Sequence, residues 1–191
     1  MVEKFGISQP VRRREDTRFL TGQGTYADDV NRDGQVYASF VRSQHPHGSI
    51  RGIDNAAAES APGVVGVLTG ADLVTAGIHG QVPRALLPGF VTTPTPRPGL
   101  ADTVVRHVGE PVAVVIAETR ALADDAAGLI EVDIEALPAA IEITDARAPG
   151  APVVWSEAPN NVCQEWTHGD RDAAERAFAD ATHVTRLKLR N

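Results

Sequence analysis

The stretch "PVAVVIAETRALADDAAGLIEVDIEALP", residues 111–138, changes its hydrophobic period twice. Residues 111–118 form a nearly continuous apolar run rich in valine, which reads as a strand. Thr119 is then placed as a natural N-cap. Leu122, Ala126 and Leu129 follow at i, i+4 and i+7, the stripe of a helix packed by one face. Residues 129–138 return to alternation, with Ile130, Val132 and Ile134 inward and acids outward. The spacing therefore predicts strand, helix, strand, consistent with a right-handed crossover on a sheet. The stable centre of the fold is expected here.

Directly before this unit stands Gly109-Glu110-Pro111. The proline pushes the backbone of Glu110 toward an extended conformation at the mouth of the strand. A general base there would need burial or a neighbouring charge to raise its pKa. With no acid partner or cofactor loop nearby, a turn residue is favoured over a base.

Upstream, "QVYASFVRS" (35–43) alternates Val36, Ala38 and Phe40 against Tyr37, Ser39 and Val41. It reads as a strand, with "GSIRGID" (48–54) as a second, joined by "QHPH" as a hairpin turn. Asp54 can cap a short helix in "NAAAESA", stopped by Pro62-Gly63. "VVGVLTG" (64–70) is a third strand, followed by a helical turn in "ADLVTAG". Residues 81–102 carry five prolines without usable periodicity, and a loop that long is usually functional or mobile. Residues 145–162 have the composition of a linker. Asp170 caps a helix in "GDRDAAERAFADA", with Ala173, Ala177 and Phe178 on one face, and "THVTRLKLRN" begins a strand. The chain stops inside that strand, as a segment of a longer polypeptide would.

The 191 residues, 42% hydrophobic and 23% charged, describe a globular protein with one domain or one domain and part of another. A net charge of −7 argues against a nucleic-acid surface, which needs a basic face. The basic run Arg12-Arg13-Arg14 is followed at once by Glu15 and Asp16 and reads as a solvated turn. Cys163, the only cysteine, can form neither an intrachain disulfide nor a cluster site needing about four thiolates. No apolar run approaches the 18 or so residues of a membrane span, and no secretory signal opens the chain. The cytoplasm is the expected compartment.

Gly22-Gln23-Gly24-Thr25-Tyr26-Ala27 matches a dinucleotide loop in letters only, since it lacks the preceding strand and following helix. A plain glycine turn is expected. His45-Pro46-His47 lacks the third ligand of a zinc site. His79, His107, His168 and His183 are scattered without evident partners. Asp124-Asp125 and the acids of "EVDIE" read as solvated faces. No catalytic, cofactor-binding or metal-ligating residue is assigned within the chain.

In order, "RREDTRFLTGQGTYADDV", "VYASFVRSQHPHGSI", "GVVGVLTGADL", "RHVGEPVAVVIAETRALADDAAGLIEVDIEALPA" and "GDRDAAERAFADATHVTRLKL" resemble one family. It is the N-terminal region of the large, molybdopterin-binding subunit of molybdenum hydroxylases: xanthine dehydrogenases, aldehyde oxidoreductases and aerobic carbon monoxide dehydrogenases. The resemblance runs from about Pro10 to Leu189. It implies an α+β fold: an α/β-hammerhead domain over 1–145 with a mixed sheet and few helices. A linker over 146–168 and the opening of a molybdenum-cofactor domain over 169–191 would come next.

By the same resemblance, the full-length subunit binds molybdenum-molybdopterin cytosine dinucleotide through motifs lying downstream of this chain. It hydroxylates an aldehyde, an N-heterocycle or carbon monoxide with oxygen from water. Electrons pass to [2Fe-2S] clusters on a small subunit and FAD on a medium subunit, in a dimer of heterotrimers. The family's catalytic glutamate lies in a Gly-Glu motif near the far C-terminus, so Glu110 does not match it in position. The hammerhead is implied to dock the iron–sulfur partner and to buttress the substrate funnel, and this chain alone to be structural. The contrasting expectation is a free-standing hammerhead module that serves as a scaffold without chemistry.

Overall fold

The computed structural model describes residues 13–78 and 91–189. In chain order the elements are α1 (Asp16–Leu20), β1 (Tyr37–Arg42), β2 (Gly48–Asp54), α2 (Ala56–Glu59), β3 (Val64–Thr69) and α3 (Gly70–Thr75). They continue with β4 (Val91–Thr92), β5 (Val104–Val105), β6 (Pro111–Ala117), α4 (Arg120–Ala127), β7 (Glu131–Ala136), β8 (Gln164–Glu165) and α5 (Arg171–Asp180). The valine-rich run becomes β6, the middle strand of a three-stranded sheet ordered β1-β6-β3. A second sheet is ordered β5-β2-β7, and β4 pairs with β8.

Every strand pair among the described residues is antiparallel, so the expected mixed sheet is corrected to antiparallel sheets. The expected crossover is corrected with it. Strands β6 and β7 lie in different sheets: α4 packs on the first sheet, against β1 and β6, and the chain then passes to the second sheet instead of returning to its own. The hairpin reading of "QHPH" fails for the same reason: β1 pairs with β6, and β2 with β7 and β5. Local periodicity identifies a strand, whereas its partner is chosen by which apolar faces can be buried together.

Two clusters of buried side chains hold the sheets. Ala58, Val67, Ala113, Val115, Ala126 and Ile130 fill the space between the first sheet and the helices α2 and α4. Ala101, Val105 and Val112 form the other, against Ile50 and Ile134. Val41, Ile53 and Val132 pack on both, so the core is continuous. Val115 is fully buried, a burial that stabilises by roughly 1.5–3 kcal/mol.

The N-cap of α4 forms as expected, Thr119 accepting from the Leu122 backbone N–H at 3.2 Å. The packing stripe is one residue off. Ala123 and Ala126 are buried, Leu122 is half-buried, and Leu129 lies beyond the helix with 47% of its surface exposed. The small alanines let α4 lie close on β6. Leu122 reaches sideways to Gly63, where φ is +72° and a Cβ would stand 2.6 Å from the leucine Cδ1.

Asp170 caps α5 by accepting from Ala173 at 2.9 Å, but α5 buries no residue, and Phe178 is 66% exposed. Residues 182–189 are not a strand, correcting the reading of "THVTRLKLRN": no described strand pairs with them. Of the proline-rich loop, 81–90 lies outside the described residues, as do His79 and Arg12. Its remainder is pinned through β4 and by Trp155, whose Nε1–H donates to Pro96 O at 3.2 Å.

Candidate functional site

The loop from β5 to β6 draws the sequence's most suggestive residues to one place. Glu110 is 95% buried, with 5% of its surface left to solvent. Its carboxylate accepts the backbone N–H of Arg106. Its own N–H donates to His107 O at 3.2 Å, and its carbonyl accepts from Ser43 N at 2.9 Å. Gly109, at φ +86°, donates to Ser43 O at 2.8 Å while its carbonyl accepts from Arg42 Nη1 at 2.8 Å. The turn is thereby stapled to the end of β1. His107 Nδ1 stays 3.7 Å from the carboxylate, beyond hydrogen-bonding distance. Glu110 has the geometry of a buried anchor whose acceptor capacity serves its own loop.

Arg106 leads from this turn into a cleft. Gly70, Leu73, Val74 and Ile78 line one side and Pro96, Pro98, Leu100 and Asp102 the other, with Arg106 among them, enclosing about 230 Å³. Gly70 permits the close approach of its walls, since a Cβ there would stand 2.6 Å from Ala101 O. Thr69 and Asp72 cap α3 reciprocally. Asp72 Oδ2 accepts from Thr69 Oγ1 at 2.6 Å and Thr69 N at 2.7 Å, and these bonds hold the carboxyl below its ordinary pKa.

The Arg106 guanidinium lies over the Trp155 ring at 5.5 Å, and Arg97 lies 5.8 Å from the same ring. Asn161, at φ 56°, secures the Trp155 segment. Its Nδ2 donates to Ala146 O and Pro152 O, both at 2.8 Å, and its Oδ1 accepts from Val154 N at 3.0 Å. Arg97, Arg106, Trp155 and Asn161 were not singled out by sequence reasoning. The signal available was one tryptophan in a segment otherwise poor in large apolar residues.

The other singled-out residues do not converge. Gly22 turns the chain after α1 at φ +72°, with no strand before it among the described residues and only a 3-10 turn, Ala27–Asp29, directly after it. The glycine-turn reading holds. His47 Nδ1–H donates to Pro138 O at 2.7 Å, while His45 uses its backbone to bond Ser43 Oγ. His168 stacks on Trp166, and His183 Nε2 is 3.1 Å from Thr185 Oγ1. Cys163 is half-buried, and its carbonyl accepts from Thr93 N. Asp124 and Asp125 are exposed.

Among the described residues no group of three or more His, Cys, Asp or Glu side chains is placed to hold a metal ion. The glycine turn also lacks the helix N-terminus that a dinucleotide pyrophosphate would use. These residues do not fit a molybdenum–pterin dinucleotide, and no chemical step is assigned to them through it. No helix among them is long and apolar enough to cross a membrane.

Residues 21–138 match the family described as aldehyde oxidase and xanthine dehydrogenase, a/b hammerhead domain. The chain is 42% identical to the nicotine 6-hydroxylase large subunit of Paenarthrobacter nicotinovorans, over 93% of this chain and 21% of that protein. It superposes on quinoline 2-oxidoreductase from Pseudomonas putida 86 with a TM-score of 0.63 and 44% identity, covering 71% of this chain and 17% of that one. On carbon monoxide dehydrogenase from Oligotropha carboxidovorans the TM-score is 0.70 at 35% identity, covering 93% and 23%. The chain thus spans about a fifth of the length of its relatives. With its antiparallel sheets, few helices and matching residues, the chain belongs to the aldehyde oxidase and xanthine dehydrogenase family, whose α/β-hammerhead domain it carries.

Proposed function

We propose that this chain is the hammerhead segment of the large subunit of a molybdenum hydroxylase that oxidises a ring carbon of an N-heteroaromatic substrate. One observation carries the substrate class. The two relatives above 40% identity described here are named for nicotine and quinoline, both built on a pyridine ring, whereas the carbon monoxide dehydrogenase stands at 35%. Hydroxylation of such a ring takes oxygen from water and releases two electrons and two protons. The electrons would leave through [2Fe-2S] clusters on a small subunit and FAD on a medium subunit, in the cytoplasm.

The molybdenum-molybdopterin cytosine dinucleotide, bound by other parts of the large subunit, would supply the two-electron oxidising chemistry. This chain's residues would supply shape. Residues 1–145 form the hammerhead, 146–168 are the linker, and 169–191 open the cofactor domain. The exposure of Phe40, Leu68, Phe178, Leu187 and Leu189 supports packing against further polypeptide. The same exposure favours this reading over a free-standing scaffold, which would leave those surfaces uncovered.

The test is an assay of the purified complex that contains this chain, with quinoline, nicotine, an aldehyde and carbon monoxide offered in turn. Hydroxylation of a pyridine-type ring with ¹⁸O taken from labelled water supports the proposal. Turnover of carbon monoxide or aldehydes alone would replace the substrate class, and a pure complex inactive on all four would favour the scaffold.

A further inference from the structure

The cleft beside α3 combines an apolar wall with one cation whose bonding is incomplete. Leu73 is half-buried, while Val74 and Ile78 are 47% and 55% exposed. Across from them lie Pro96, Pro98 and the buried Leu100. Arg106 is the only basic side chain in the lining among the described residues. Its Nη1 donates to Val104 O at 3.2 Å, but its Nε is buried without a partner among the described residues. A buried donor left unsatisfied leaves the guanidinium short of acceptors, and because Nε itself is enclosed, a ligand in the cleft would meet the group at its Nη atoms.

The orientation of the guanidinium narrows the choice of acceptor. The guanidinium carbon stands over the Trp155 ring, and the group's N–H bonds lie in its own plane, where a carboxylate can accept two at once. Two carboxylates of this chain lie near without filling that role. Asp102 is exposed at the cleft and accepts from Thr103 Oγ1 at 3.2 Å. Glu157 is bonded by its own backbone and by Ser156 Oγ, which lower its pKa, with the charge of Arg106 a minor cause.

We propose that this cleft binds a small aromatic or branched-chain monocarboxylate, its carboxylate on Arg106 and its apolar body against Leu73, Val74, Ile78 and Leu100. The volume of about 230 Å³ is below the roughly 300–1,000 Å³ of sites for drug-sized ligands. It therefore suits one ring or one branched chain and excludes a nucleotide. The proposal rests on the lining of the cleft and not on the substrate class proposed above.

Benzoate titrated into the 191-residue chain is the probe, followed by the NMR signal of the Trp155 indole N–H, assigned with Trp166→Phe. Saturable binding with a Kd of about 1 mM or tighter is expected, as a ligand of so few atoms can reach. Benzyl alcohol, which keeps the ring and loses the charge, should bind at least about tenfold more weakly. Asp102→Asn should tighten benzoate by about two- to threefold at low salt, by removing a like charge, and Arg106→Met should weaken it by about tenfold or more. Equal binding of the two probes, or no saturable shift, overturns the proposal. Undiminished binding to a folded Arg106→Met chain does so too. If that variant does not fold, the comparison of benzoate with benzyl alcohol on the unaltered chain decides.

Discussion

The backbone N–H of Arg106 is bonded by the buried carboxylate of Glu110, four residues along the same turn. The same residue that closes this turn therefore fixes the start of the Arg106 side chain, which runs to Trp155 and the cleft. Removing the carboxylate would leave a buried amide without an acceptor, at a cost of roughly 1–3 kcal/mol. Glu110→Ala should lower stability by that amount in urea unfolding. Glu110→Gln, which keeps one acceptor oxygen, should cost less. In the assembled enzyme Glu110→Gln should leave turnover within a few fold, because loss of a general base costs about 10²–10⁴-fold. A loss of that larger size in a folded complex would make Glu110 a base.

Gly70 offers a sharper steric test. A methyl group there would stand 2.6 Å from the Ala101 carbonyl oxygen, and backbone cannot move aside as a side chain can. Gly70→Ala should cost about 1–3 kcal/mol, read as a lower urea midpoint. Gly66→Ala in β3, with nothing within 4 Å of the new Cβ, should cost little.

The cap of α3 predicts a pH dependence with a definite sign. Bonds from the Thr69 hydroxyl and backbone lower the folded-state pKa of Asp72 below its ordinary 3.8. The stabilisation is therefore whole above that ordinary value and lost as pH falls through the lower folded value. Asp72 is exposed, so solvent screening keeps the charge part small. Asp72→Ala should cost roughly 0.5–2 kcal/mol at pH 7, by analogy with losing a helix cap, and less when unfolding is measured near pH 3.

What was legible in the sequence was local. The run from Val112 to Ala117 and the hydroxyl of Thr119 each announce an element by themselves. Pairing was not legible: nothing in 111–117 says that Tyr37–Arg42 and Val64–Thr69 will flank it. The stripe on α4 shows why packing also escapes. Leu122, Ala126 and Leu129 satisfy helical spacing, and so do Ala123, Ala126 and Ile130. Hydrophobicity favours the first set, whereas the close approach of α4 to Ala113 and Val115 selects the smaller second one. The arginines on Trp155 were hidden because 97, 106 and 155 are far apart in sequence, and no period connects them.

That correction changes the expected ranking of core substitutions. Val115→Ala, at a fully buried site in the middle strand, should cost about 2–3 kcal/mol, two lost methyl groups plus a cavity. Leu122→Ala, half-buried on Gly63, should cost less, about 1–2 kcal/mol. Urea midpoints in the reverse order would return the core to the leucine stripe.

The proposed function makes this chain the hammerhead part of a molybdenum hydroxylase large subunit, with the cofactors held elsewhere in the complex. Metal analysis of the 191-residue chain alone, beside the assembled complex containing it, tests this most directly. The expected result is molybdenum and iron in the complex, together with hydroxylation of a pyridine-type ring, and neither metal in stoichiometric amount on the chain alone. A stoichiometric transition metal on the isolated chain, or a pure complex without molybdenum, would contradict it.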